Sequence, residues 1–136
     1  MITIFLSHSS KDIKDFETIL NNLKPLNDYC HIRCYRSAIE KNITMEKIIK
    51  SLPEVDLFVV FISDNSLSSA NVQKELSEAI RLSKLGNLRE ICPIIIDITA
   101  NSDSRIPEYI KKNIYYAASP IRAAQIIEEN SRKLMC

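Results

Sequence analysis

The chain has 136 residues, 46% of them hydrophobic, enough for one buried core of ordinary domain size. Its 18 Lys and Arg against 17 Asp and Glu leave a net charge of +1, so no global field draws it to nucleic acid or to an anionic membrane. The single glycine, Gly86, excludes the glycine-rich phosphate loops of ordinary dehydrogenases, kinases and GTPases, which need several glycines where backbone meets phosphate.

Ile2 to Leu6 is β-branched or apolar at most positions and predicts a short buried strand. The polar turn Ser7-His8-Ser9-Ser10-Lys11-Asp12 follows, with Ser9 and Asp12 in the S-x-x-D form of a capping box. Ile13, Phe16, Ile19, Leu20 and Leu23 then recur on one face, predicting a helix from about Lys11 to Lys24 that Pro25 stops. His31 to Tyr35 predicts a second strand, Arg36 to Asn42 a polar loop, and Thr44 to Leu52 a short helix ended by Pro53. Val55 to Ile62 is almost wholly apolar, as a central strand covered on both faces should be. After a serine-rich loop, a helix is expected from about Asn71 to Leu85, burying Val72, Leu76, Ala79 and Ile80 and capped by Gly86. Ile91 to Ile98 predicts a fourth strand and Ile114 to Ala117 a fifth, with a short helical piece around Pro107 to Lys112 between them. Pro120 opens a last helix whose Ile121, Ala124, Ile127 and Leu134 are expected to face the sheet.

This alternation predicts a flavodoxin-like, doubly wound α/β domain over 1–136, a five-stranded parallel sheet in the order 2-1-3-4-5 with helices on both faces. Ligands of such sheets bind beyond the carboxyl ends of the strands, at the switch point between the first and third. The loops from Ser7 to Lys11 and from Ser63 to Ala70 are expected to meet there. The apolar runs fall far short of the roughly 20 residues that span a bilayer, and the first residues carry no basic leader, so a cytoplasmic chain is expected. Four scattered cysteines fit a reducing compartment. Cys30, His31 and Cys34 lack the second ligand pair of a convincing zinc site, and no metal is expected.

On the helix after the third strand, Val72, Leu76, Ala79 and Ser83 cluster within a narrow arc, and Glu75 falls roughly 70° from its centre, on the shoulder of the buried stripe. From there a carboxylate can reach a cleft at the sheet edge, with the helix N-terminus favouring its ionised form; the same position suits an ordinary half-exposed helix residue. His8 has the side chain best poised for proton transfer near neutral pH, or it fixes the strand-to-helix turn. Ser7 and Ser9 have no His and Asp arrangement to activate them and are expected to hydrogen-bond the turn or a ligand. Tyr35 can offer a stacking surface or simply pack.

The run Ile4-Phe5-Leu6-Ser7-His8-Ser9-Ser10-Lys11-Asp12 closely resembles the opening motif of TIR domains, an apolar strand followed by S-H-S-x-x-D. Asp56 to Ser63 resembles that family's third strand, and Ser69-Ala70-Asn71-Val72-Gln73-Lys74-Glu75 its S-x-W-V-x-x-E motif, in the same order and spacing. In NAD-cleaving members the glutamate of that motif is catalytic, which by position implies Glu75 here. The resemblance implies a bacterial-type NAD+ glycohydrolase or cyclase, used in anti-phage defence or immune-type signalling. NAD+ is then the substrate, and no metal or redox cofactor is required. Ser7, His8, Ser9, Tyr35, Arg36, Ser69 and Asn71 become the expected substrate contacts. Asn71 stands where the family has tryptophan, and Arg36 where it often has an acid, in a loop that commonly mediates self-association. Control is expected from self-association or a sensor or effector protein, without nucleic acid or membrane. The alternative is a non-catalytic module signalling through contacts between TIR domains.

Overall fold

The computed structural model describes residues 1–35 and 44–135. Its sheet holds five parallel strands in the order β2-β1-β3-β4-β5, with β1 at Ile2–Ser7, β2 at Cys30–Cys34, β3 at Leu57–Ile62, β4 at Glu90–Ile95 and β5 at Tyr115–Tyr116. The predicted flavodoxin-like order is therefore the observed one. The helices are α1 (Ile13–Asn22), α2 (Met45–Ser51), α3 (Asp64–Leu67), α4 (Ala70–Lys84) and α5 (Pro120–Met135).

The period of two along β3 divides the core. Leu57, Val59 and Phe61 enter one apolar cluster with Phe16 and Ile19 of α1 and Ala123 and Ile127 of α5. Phe58, Val60 and Ile62 enter the other, with Ile48 of α2 and Val72, Leu76 and Ala79 of α4. All six residues of β3 are buried, as a strand covered on both faces requires. The same alternation on β1 gives Ile4 and Leu6 to the first cluster and Phe5 to the second. Ser7, in register with Val60, thus falls on the α4 side at the carboxyl end of the strand.

Several expected boundaries move, each for a local reason. Ser9 and Asp12 form no capping box: the Ser9 hydroxyl accepts from the Lys11 N–H at 3.2 Å, and Asp12, at the N-cap of α1, makes no side-chain capping bond. A 3-10 turn, Ser10–Asp12, precedes α1, and Pro25 starts another, Lys24–Asp28, rather than ending the chain's helical path. The serine-rich stretch after β3 folds as α3, closed by a capping box in which Ser63 and Ser66 exchange side-chain and backbone bonds. β4 stops at Ile95 because Asp97 turns the chain, accepting from the Thr99 N–H and hydroxyl. Just past β4, Ile96 N–H donates to Ile62 C=O on β3, and at its last residue Ile95 C=O accepts from Ala117 N–H beyond β5, so by alternation Pro93 faces the β5 side, where pairing begins only at Ile94. Its missing N–H therefore breaks no ladder bond.

Two predicted core positions are corrected. Leu82 rather than Ile80 completes the fully buried stripe of α4, and Ile121 is 56% exposed because α5 turns Ala123, Ala124 and Ile127 to the sheet. Among the described residues no helix is long and apolar enough to cross a membrane. The predicted loop from Arg36 to Asn42 lies outside the described residues.

Candidate functional site

The carboxyl end of β1 and the second turn of α4 meet in one hydrogen bond. The Ser7 hydroxyl donates to Glu75 Oε1 at 2.7 Å across 68 residues of sequence, and both side chains are buried. Glu75 is only 7% exposed, so the half-exposed alternative is overturned: α4 leans far enough onto the sheet to draw the shoulder of its stripe beneath the surface. Burial pushes the Glu75 carboxyl up to about 7, and the Ser7 hydroxyl, which favours the ionised form, offsets only part of this. The expected help from the helix N-terminus does not decide the balance, because Glu75 is six residues into α4 and that field fades within the first turn.

The other expected site residues take distinct positions. Ser69 is the N-cap of α4, its hydroxyl accepting from the Val72 N–H at 3.3 Å, and it orients the helix that carries Glu75. Asn71, in the first turn of α4, is exposed. Ser9 is buried and engaged with the turn through Lys11. His8 lies flat on Phe16, with ring centroids 3.6 Å apart and planes 5° apart, tying the turn after β1 to α1. The Tyr35 ring sits 5.7 Å from Phe5 and packs against the α4-side cluster. Arg36 lies outside the described residues. The structure therefore joins Ser7 and Glu75 directly, with Ser69 supporting the second from its helix end.

A second set of polar residues in the same two loops was missed by the sequence reading. Asp12 accepts from the Ser63 hydroxyl at 2.5 Å and from the Asn65 amide at 2.8 Å, closing the turn after β1 onto α3. The signal was present in the motif, but a local capping role accounted for it too easily. Beside Asp12 an open pocket of about 400 Å³ is lined by Asp12, Asp15, Asp97, Ser63, Ile96, Ile98 and Tyr116. With three carboxylates and, among the described residues, no basic side chain on its walls, it is a poor seat for the pyrophosphate of a dinucleotide. Cys30 is buried with its Sγ 4.0 Å from Met135 Sδ, and His31 is exposed; among the described residues no three His, Cys, Asp or Glu side chains are placed to hold a metal ion.

Strand order and a side-chain site at the switch point define a flavodoxin-like α/β domain that has no glycine-rich phosphate loop. A sequence model of the TIR domain matches residues 4–128, and the chain belongs to the TIR domain family. Comparison with curated proteins returns no match.

Proposed function

We propose that the chain cleaves the bond between nicotinamide and ribose in NAD+, with Glu75 as the reacting site's carboxylate. The observation that supports this most is a glutamate buried to 7% exposure at the carboxyl edge of the sheet, held by Ser7 and poised to titrate at about 7. Cleavage sends the bonding pair to the pyridinium nitrogen, which leaves as neutral nicotinamide, and builds positive oxocarbenium character on the ribose. An ionised Glu75 stabilises that charge and can hold ribose hydroxyls. The leaving group needs no proton, so one carboxylate suffices and the reaction calls for no metal or redox cofactor. Water adding to the ribose gives ADP-ribose and releases a proton; attack from the adenine end gives a cyclic ADP-ribose. Activity is switched by self-association or a sensor partner, in defence or immune-type signalling.

A second reading draws on the same bond. The Ser7–Glu75 contact also staples α4 to β1, and Asn71 is exposed where the family's tryptophan would lie. Both features suit an interaction module that signals through contacts between TIR domains without catalysis.

Incubating the protein with NAD+ at low and high concentration, while following nicotinamide release, separates the two. The wild type is expected to release nicotinamide with a rate that rises with pH through about 7, as Glu75 ionises. Glu75→Gln should lose about a hundredfold or more. Release no greater than that of Glu75→Gln under every condition removes the enzymatic reading and leaves the interaction module.

A further inference from the structure

The carboxyl end of β1 and the turn that follows it touch the segment after β3 at two separate points. At one, Ser7 donates to Glu75. At the other, both oxygens of Asp12 are occupied, Oδ2 by the Ser63 hydroxyl and Oδ1 by the Asn65 amide, across 51 and 53 residues of sequence. An aspartate at a helix N-cap ordinarily bonds the exposed N–H groups of its own helix. Asp12 does not, although it occupies that position on α1, and its backbone N–H is fixed instead by Ser9 C=O at 3.0 Å. Its carboxylate is directed wholly across the sheet edge.

The Asp12 contact continues toward α4. The Ser63 hydroxyl that donates to Asp12 also accepts from the Ser66 N–H at 3.0 Å. Ser66 C=O in turn accepts from the Ser69 N–H at 3.1 Å and the Gln73 amide at 3.3 Å, and Ser69 is the N-cap of α4. Hydrogen bonds to an ionised carboxylate are the shorter and stronger kind, and a chain of satisfied bonds holds its members in one arrangement.

We propose that Asp12 is a positioning residue: by clasping Ser63 and Asn65 it sets the turn after β1 against the start of α4 and so holds Ser7 on Glu75. The proposal rests on Glu75 as the reacting carboxylate for its kinetic consequence, but its geometric content is independent of catalysis. Asp12→Asn keeps the shape while presenting an amide N–H₂ to one of the two donors, so one contact must break. The Glu75 resonance, assigned by its loss in Glu75→Gln, is titrated by carbon-detected NMR in the wild type, Asp12→Asn, Asn65→Ala, Ser7→Ala and the double variant Asp12→Asn/Ser7→Ala. Nicotinamide release is measured on the same samples.

Loss of the Ser7 bond removes the contribution that lowers the Glu75 midpoint, so Ser7→Ala moves it upward. Asp12→Asn is expected to move it the same way, Asn65→Ala by less, and Asp12→Asn to add nothing once Ser7 is gone. In the kinetic arm kcat falls about tenfold with KM changed by no more than about twofold. A Glu75 midpoint unmoved in folded Asp12→Asn, or effects of Asp12→Asn and Ser7→Ala that add in full, would overturn the proposal. If the wild type releases no nicotinamide, the catalytic reading of Glu75 fails while the titrations still decide the clasp; if Asp12→Asn does not fold, the midpoint in Asn65→Ala decides it.

Discussion

Glu75 carries opposite consequences for stability and for reactivity. Its carboxyl group titrates near 4.5 when unfolded and at about 7 in the fold, so the folded state holds this proton more tightly. The resulting stability is complete below the unfolded value and is lost as pH rises through about 7, above which a buried charge opposes folding by about 3 kcal/mol. Glu75→Gln retains an acceptor for the Ser7 hydroxyl and removes the charge. It should therefore stabilise the protein by about 2–3 kcal/mol near pH 8 and change little near pH 4. Thermal melts at the two pH values check this; an equal effect at both would show that the carboxylate charge is not what opposes folding. Helical spacing put Glu75 on the shoulder of the buried stripe but left its burial open. Whether a shoulder residue is covered depends on how closely α4 lies on β1 and β3, which is a property of both surfaces.

Elements were most legible where a pattern repeats. The apolar faces of α1 and α4 and the unbroken apolar run of β3 locate those elements within a residue or two. The short α3 escaped for want of repeats, four residues being too few for a helical period to declare itself, whereas the fifth strand expected over Ile114 to Ala117 is present as β5. Termini with dedicated chemistry were legible again. Gly86 closes α4 at φ +77°, its N–H donating to Ser83 C=O at 3.0 Å while the Asn87 N–H reaches Leu82 C=O at 2.9 Å. A Cβ at Gly86 would meet nothing within 4 Å, so Gly86→Ala carries only the backbone cost of the left-handed conformation, about 1 kcal/mol. Urea unfolding should register that loss with an unchanged m-value. The S-x-x-D pattern at Ser9 and Asp12 was equally visible and misled, since a polar side chain beside a helix start can bond its own turn or a neighbouring loop with equal chemical sense.

At the scale of the molecule, the buried pairing of β3 with β4 is expected to open only with the whole fold. Cys92 on β4 is fully buried opposite Val59, and burial pushes its thiol up to about 12. Its labelling by a thiol reagent should require global unfolding, whereas the half-buried Cys34 on the edge strand β2 should react through local opening. Peptide mapping of labelling rates against denaturant checks this: the rate at Cys92 should follow the global unfolding free energy, and fast labelling in the absence of denaturant would contradict a closed centre.

The amino-acid order by itself determined the alternation of strands and helices, the strand meant for the middle of the sheet, the absence of a phosphate loop and the two loops that meet at the switch point. These follow from local periodicity and from glycine usage, which neighbouring segments reinforce but do not create. Only the tertiary structure decided that Glu75 is buried on Ser7 and that Asp12 reaches Ser63 and Asn65 instead of its own helix. Those contacts join residues more than 50 positions apart, and their geometry exists only once the parallel strands have set the two loops side by side.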